Sequence, residues 1–195
     1  TSIVRTSVAV GIDTIDGNQG DDTIFGQQGG DSLLGGSGED DMIGGHNVIG
    51  GADGDDTMDG GDDAEVMLGD NGVISRRATA DGDWERYSEP FDYVIRDIER
   101  FDDIDGVGGD DSMSGGAGDD TVQGQRGDDT VNGDAGDDEL YGQLGDDSLN
   151  GGTGNDTILA DVGIITKDYN SDGTPRINEN GSWHRDVILT DVGSL

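Results

Sequence analysis

The chain has 195 residues and lacks cysteine altogether, and it contains only two prolines and ten basic residues against 45 acidic ones. Without cysteine, disulfide bonds and thiolate metal sites are excluded. The formal charge of −35 argues against nucleic acids and anionic membranes as partners, because both attract a basic protein surface. No apolar run approaches the roughly 18 residues of a bilayer-spanning helix. We therefore expect neither nucleic-acid binding nor membrane insertion.

Apolar and aromatic residues are also scarce, at 30% and 5% of the chain. A chain this polar cannot bury enough apolar surface for a large globular core. Glycine, by contrast, occupies 38 positions, which is typical of collagen, a flexible linker or a repeat protein. Collagen requires a period of three and much proline, and a linker requires no order among its other residues. The order described next favours a repeat protein.

Two tracts of nonapeptides contain most of the glycine. Residues 106–159 form six units without a gap, and residues 17–68 form six if the fourth, GGHNVIG, has lost two residues. Position 1 is glycine in all twelve units, and position 6 is Asp in ten, with Asn47 and Glu65 as the exceptions. Position 8 is aliphatic or Met throughout, with Ile49 in the shortened unit. Low-complexity drift would not sort residues into such columns.

Each unit is predicted to be a glycine turn followed by a short strand. Positions 1 to 6 form the turn, in which glycine permits positive φ. Positions 7 to 9 form the strand, with position 8 facing inward because side chains alternate along a strand. Two units make one coil of a parallel solenoid, and stacked coils bury one another. The prediction is an all-β fold.

The acidic turns indicate a need for cations. The tracts hold 26 of the 45 acids and one base, Arg126, so they carry a charge of −25 over 106 residues. One buried aliphatic side chain per unit contributes roughly 1.5–3 kcal/mol, whereas ordering the backbone costs about 1–2 kcal/mol per residue. Ca²⁺ takes about six to eight oxygen ligands in tolerant geometry, while Mg²⁺ is stricter and Zn²⁺ prefers His or Cys. We therefore expect calcium in the turns.

The pattern G-G-x-G-x-D-x-U-x resembles the repeats-in-toxin (RTX) family of haemolysin-type calcium-binding repeats. GGAGDDTVQ (115–123) and GGTGNDTIL (151–159) match it at every defined position. The resemblance implies right-handed parallel β-roll solenoids, with calcium between turns one coil apart on the same flank. Position-6 side chains and turn carbonyls would bind it. The candidate ligands are Asp22, Asp31, Asp40, Asn47, Asp56, Asp111, Asp120, Asp129, Asp138, Asp147 and Asp156.

The resemblance also implies which ligands share an ion. The expected pairs are Asp111–Asp129, Asp129–Asp147, Asp120–Asp138, Asp138–Asp156, Asp22–Asp40, Asp40–Asp56, Asp31–Asn47 and Asn47–Glu65. This gives about six to eight calcium ions. Loss of Asp129 should weaken calcium binding more than loss of Asp31, because the partner of Asp31 would be neutral. The position-5 acids, such as Asp21, either ligate directly or only add to the negative field.

The segments outside the tracts look duplicated, with a displacement of 91 residues between GDNGVI (69–74) and ADVGII (160–165). Asp-Gly dipeptides at 81–82 and 172–173 share it and predict hairpin turns. We expect β-hairpins that join the two rolls and close their open ends. The predicted regions are a capping strand (1–16), a first roll (17–68), a hairpin connector (69–105), a second roll (106–159) and a hairpin cap (160–195).

One segment of the last region, DYNSDGTPRINE (168–179), fits the EF-hand loop pattern through Asp168, Asn170, Asp172 and Glu179. No flanking helices are evident. Two interpretations remain: a polar hairpin with an Asp-Gly turn, or an additional calcium loop.

Nothing in the sequence marks a catalytic site, since it has neither a G-x-S-x-G elbow nor a G-K-[ST] phosphate loop. We expect no enzyme activity. The resemblance implies calcium-coupled folding within a larger bacterial protein, exported by type I secretion to the exterior or the cell surface, with other parent domains as partners. The alternatives are a calcium-stiffened spacer of a surface adhesin array, or the secretion region of an enzyme whose catalytic domain lies elsewhere.

Overall fold

The computed structural model describes residues 3–5, 11–49, 51–101 and 108–189. In this part of the chain the backbone forms strands and turns without helices, so no helix there is suited to crossing a bilayer. The predicted all-β parallel roll is confirmed. The ends of several predicted regions, at residues 1–2, 6–10, 102–107 and 190–195, lie outside the described residues.

Two parallel sheets form the roll. Sheet A contains, in spatial order, β1 (Ile3–Arg5), β3 (Thr23–Phe25), β5 (Asp41–Ile43), β7 (Val66–Leu68), β11 (Thr121–Arg126), β13 (Glu139–Leu144) and β15 (Thr157–Leu159). Sheet B contains β14 (Ser148–Asn150), β12 (Thr130–Ala135), β10 (Ser112–Ala117), β6 (Thr57–Asp62), β4 (Ser32–Ser37) and β2 (Thr14–Asp16). Consecutive strands along the roll alternate between the sheets, as two units per coil require.

The core between the two sheets is a column of position-8 side chains, as the repeat predicts. Its buried members are Ile15, Ile24, Leu33, Met42, Met58, Met67, Met113, Val122, Val131 and Leu140. Ile49, expected in this column, is instead 58% exposed. Ile15, from the region predicted as a capping strand, is a core residue, so the roll begins before residue 17.

The two tracts share the same pair of sheets. Strand β6 pairs with β10 and β7 pairs with β11, with Met58 opposite Met113 and Met67 opposite Val122. The junction has the same parallel pairing as the coils within each tract. The two predicted rolls therefore stack as one continuous solenoid, a relationship that the sequence did not indicate.

Two antiparallel hairpins leave the roll, at the places where the sequence predicts them. Hairpin 1 joins β8 (Gly72–Arg76) to β9 (Arg96–Arg100), and hairpin 2 joins β16 (Gly163–Lys167) to β17 (Arg185–Leu189). They lie over the outward face of sheet A instead of closing the ends of the roll. Position-7 acids of that sheet anchor them: Asp41 pairs with Arg96 of hairpin 1 (2.9 Å), and Glu139 pairs with Arg185 of hairpin 2 (2.7 Å).

The outward residues explain why only one sheet is covered. Sheet A presents charged and apolar groups, such as Asp41 and Leu68, that are stable only when paired or buried. Leu68 packs against Gly72 at the start of hairpin 1 and is fully buried. Sheet B presents hydroxyl side chains that water can solvate, and its position-7 residues are Thr14, Ser32, Thr57, Ser112, Thr130 and Ser148.

An aromatic cluster joins the two hairpins. Trp183 of hairpin 2, which is 1% exposed, stacks on Phe91 of hairpin 1 at a centroid distance of 4.5 Å and meets Tyr87 edge-on at 4.8 Å. The Lys167 ammonium lies 5.3–5.5 Å from the rings of Tyr87, Tyr93 and Trp183. Cation–π attraction and buried aromatic surface therefore hold the hairpins together.

Candidate metal centre

The position-6 residues form two rows along the flanks of the roll. Ladder 1 precedes the strands of sheet B and consists of Asp13, Asp31, Asp56, Asp111, Asp129 and Asp147. Ladder 2 precedes the strands of sheet A and consists of Asp22, Asp40, Glu65, Asp120, Asp138 and Asp156. Each ladder has one member per coil, so the repeat brings nearly all predicted ligands into line.

Backbone amides connect the members of each ladder. In ladder 1, the amide of every residue donates to Oδ1 of the next, from Asp13 onward, at 2.6–3.1 Å. In ladder 2, four of the five intervals have the same bond at 2.8–3.2 Å. The interval from Asp40 to Glu65 lacks it, because both carboxylate oxygens of Glu65 have no hydrogen-bond partner. The longer glutamate side chain does not reproduce the aspartate geometry.

The other carboxylate oxygen of most ladder residues makes no hydrogen bond. The buried Oδ2 atoms without a partner belong to Asp31, Asp40, Asp56, Asp111, Asp120, Asp129, Asp138 and Asp147. Buried polar atoms are nearly always hydrogen-bonded in folded proteins. A regular series of buried carboxylate oxygens without donors therefore calls for a cation.

Position-1 glycine allows a carbonyl to approach each of these carboxylates. A Cβ at Gly17 would lie 2.5 Å from the carbonyl oxygen of Gly35 and 2.9 Å from Oδ2 of Asp22. Gly44 is placed in the same way against Asp56. Any larger residue would displace the two oxygens. The turn sequence therefore brings carboxylate and carbonyl oxygens, the ligands that Ca²⁺ prefers, to one place in successive coils.

Burial raises the pKa values of most of the ladder carboxyls. Desolvation, the largest cause, raises the pKa of Asp129 and Asp138 to about 7 and that of Asp111 to about 10. The pKa of Glu65 rises to about 12, from desolvation and then from the charge of Asp120. Ionised carboxylates in these rows are unfavourable without a compensating charge. The residues present thus fit calcium by donor type, burial and charge.

The pairing expected across the fourth unit of the first tract is wrong. The amide of Asp31 donates to Asp56, not to Asn47, across 25 residues instead of the regular 18. Asn47 lies exposed in a loop outside both ladders. The unit has gained seven residues, 46–52, between its second and third positions. In consequence Asp40 is followed by Glu65 instead of Asp56 in its ladder.

Two features of the ladders were missed in the sequence. Asp13 belongs to ladder 1, although the unit that contains it lacks a complete glycine pattern. The position-5 acids also connect coils: Oδ1 of Asp110 accepts the amide of Asp128, and Oδ1 of Asp119 accepts the amide of Asp137, both at 2.9 Å. These bonds run in the opposite direction to those of position 6, so each turn is bonded to both neighbouring coils.

The EF-hand interpretation of residues 168–179 does not fit the structure, whereas the hairpin interpretation does. The segment is a tight turn in which the amide of Asn170 donates to the carbonyl of Thr174 and Gly173 has a φ of 85°. Oδ1 of Asp172 accepts the amide and hydroxyl of Thr174. Asp168 faces Arg176 on its own hairpin. The predicted ligands therefore do not converge.

Comparison with known proteins agrees with this geometry. The family model of the RTX calcium-binding nonapeptide repeat matches the chain in four copies, over residues 10–42, 105–140 and 123–158. None of the curated proteins compared matches the chain.

Proposed function

Because this chain carries RTX calcium-binding nonapeptide repeats, we propose that it is a calcium-binding module whose folding is coupled to calcium binding. The observation that carries the proposal is the series of buried Oδ2 atoms without hydrogen-bond partners along both flanks. In the absence of a cation these carboxylates repel one another and remain desolvated. Because an unfolded chain lets water solvate them, removal of calcium favours unfolding.

The continuous stack supports a larger number of ions than the sequence predicts. Each ladder has five intervals between neighbouring coils. One ion per interval gives about ten calcium ions, compared with six to eight when the tracts are treated as separate rolls. The interval between Asp40 and Glu65 is the weakest, because it lacks the amide–carboxylate bond.

We further propose that the module belongs to a larger secreted bacterial protein, outside the cell or on its surface. Coupled folding suits export, since the chain would remain unfolded at low cytosolic calcium, pass through a type I secretion channel and fold outside. Stacking of both tracts into one pair of sheets favours the alternative in which calcium stiffens a spacer of an adhesin array. The secretion region of an enzyme would show the same calcium response, with catalysis in another domain.

Circular dichroism during a calcium titration tests the coupling. We expect a largely disordered chain in excess EDTA and a β spectrum in calcium, with half-saturation between about 10⁻⁵ and 10⁻³ M. Calorimetry on the same sample should give about ten ions per chain. An equally strong β spectrum in EDTA would overturn coupled folding, and a stoichiometry of one or two ions would overturn the ladder assignment.

A further inference from the structure

Hairpin 2 brings together three side chains of types that bind metal ions, and none of them belongs to either ladder. Asp168 and His184 face each other across the hairpin, where the amide of Asp168 donates to the carbonyl of His184 at 2.9 Å. Asp186 lies two residues beyond His184, on the same face of the strand. One ligand atom from each of the three lies within 4.8 Å of the others. This arrangement differs from the ladders because it includes an imidazole nitrogen.

The imidazole is directed at a carboxylate without a hydrogen bond between them. Nδ1 of His184 lies 3.2 Å from Oδ2 of Asp168, and that nitrogen is buried without a hydrogen-bond partner. Arg176 contacts the same Asp168 oxygen at 3.0 Å. Among the ion pairs of the described residues, none involves Asp186. Arg176 therefore pairs with Asp168 alone, Asp186 has no ion pair among the described residues, and Nδ1 of His184 has an unused lone pair or proton.

Hairpin 1 has different residues at the corresponding positions. There the amide of Arg77 donates to the carbonyl of Ile95 at 3.0 Å, in the place of Asp168 and His184. Nε of Arg77 then pairs with Asp97 at 2.8 Å, and Asp97 is the counterpart of Asp186. Hairpin 2 keeps the acid of this cross-strand pair but replaces the arginine by a carboxylate and the isoleucine by histidine. In hairpin 2 the arginine is Arg176, which stands in the place of Glu85 and pairs with Asp168. Among the described residues, Asp186 therefore has no ion pair like the one that Asp97 makes in hairpin 1.

We propose that Asp168, His184 and Asp186 bind one divalent transition-metal ion of the zinc class. Calcium takes oxygen ligands, whereas zinc binds imidazole nitrogen and carboxylate oxygen and often keeps three protein ligands with a water in the fourth position. The ion gives Asp186 the kind of cationic partner that Arg77 gives Asp97 in hairpin 1, and it connects both strands of hairpin 2. Trp183, next to His184, packs on hairpin 1, so the ion also stabilises the contact between the hairpins.

Calorimetric titration of the full, calcium-saturated chain with ZnCl₂ tests the proposal. Excess calcium blocks the ladders, so the expected result is one zinc ion bound per chain. His184→Asn and Asp186→Asn should each weaken zinc binding at least tenfold. His46→Asn changes the other histidine of the chain and should leave zinc binding unchanged. Co²⁺ as a second probe should give visible absorption bands that are lost in His184→Asn.

The outcomes are separate from those of the calcium proposal. Circular dichroism in calcium shows whether each variant folds, and the calcium midpoint should be the same for His184→Asn and the wild type. Absence of zinc binding in the calcium-saturated wild type would overturn the site, and would leave His184 as a partner of Asp168 alone. Loss of binding in His46→Asn with retention in His184→Asn would also overturn it.

Discussion

The amide of Asp56 donates to Oδ1 of Asp111 at 2.8 Å, although 55 residues separate the two. The same bond connects Asp111 to Asp129 across 18 residues at 2.9 Å. The 37 additional residues, 71–107, enter and leave one turn without altering the bond between coils. The junction between the tracts is therefore an ordinary interval of ladder 1.

We predict that Asp31→Ala and Asp129→Ala destabilise the chain to a similar extent, contrary to the expectation from the sequence alone. Each residue contributes to two intervals of ladder 1. Removing one partner of a buried charge network costs about 3 kcal/mol, which corresponds to a fall of about 6–12 °C in Tm at fixed calcium. Asn47→Ala, the matched control in the exposed loop, should leave the Tm within about 2 °C. A large effect of Asn47→Ala would restore the pairing across the shortened unit.

Glu65→Asp should stabilise the calcium-bound chain. The shorter side chain can place Oδ1 to accept the amide of Asp40, which completes the one interval of ladder 2 that lacks this bond. A hydrogen bond of this kind contributes about 1 kcal/mol, so the Tm in calcium should rise by about 2–4 °C. Glu65→Gln keeps the length of the side chain and should give no increase. An equal rise in both variants would show that charge, not length, limits this interval.

Deletion of residues 71–107 should preserve calcium-dependent folding. It joins Gly69-Asp70 to Gly108-Gly109 and restores a regular nonapeptide before β10. The deletion also uncovers Leu68 and removes the arginines that pair with Asp41, so the Tm should fall even though the β spectrum in calcium remains. Circular dichroism with and without EDTA measures both effects. A variant that no longer folds in calcium would contradict a continuous solenoid.

Calcium binding at pH 7 should release few protons. In a folded, cation-free roll, Asp129 and Asp138 have pKa values of about 7 and Asp120 of about 8, so a preformed roll would hold protons that calcium displaces. In the unfolded chain these carboxyls are already ionised at pH 7. Because the folded pKa values are raised above the unfolded value of about 4, the cation-free roll loses stability as the pH rises from about 4 to about 7–8.

Calorimetry in two buffers of different ionisation enthalpy measures this proton release. If folding is coupled to binding, fewer than about one proton per chain is released at pH 7. Release of several protons would show that the roll exists before calcium binds. The buffers are compared at equal ionic strength, so that screening of the exposed carboxylates is the same.

The repeat columns made much of the roll predictable. Position 6 identified ten of the twelve ladder aspartates and glutamates as ligand candidates, and Glu65 was recognised as a departure. Position 8 identified nine of the ten buried residues in the column between the two sheets. The failure at Asn47 has a specific cause: Gly44 and Gly45 stand directly before the inserted loop, and Ile49 within the loop lies nine residues before Met58. One unit with seven inserted residues therefore looked like two units, one of which had lost two residues. The structure distinguishes them through the bond from Asp31 to Asp56.

The placement of the hairpins was less predictable, because it depends on which sheet each unit joins. When the units are compared in chain order, position 7 looks mixed; for example, it is Thr57 in one unit and Val66 in the next. Divided between the two sheets, the column has only hydroxyl residues on sheet B, whereas sheet A also has Asp41, Val66 and Glu139. Units with the same sequence pattern thus lie either under a hairpin, on sheet A, or against solvent, on sheet B. The sequence alone does not show that Asp41 faces the arginines of hairpin 1.

The coils contain unequal numbers of residues, so they release unequal lengths of chain when the solenoid is pulled from one end. A regular coil that detaches releases 18 residues, as between Asp111 and Asp129, or about 6 nm of extended chain. The coil that contains hairpin 1 releases 55 residues, as between Asp56 and Asp111, or about 19 nm. Hairpin 1 thus adds length to this coil, and that length extends only after the ladder bond between Asp56 and Asp111 and the contacts of the hairpin with sheet A and hairpin 2 have broken.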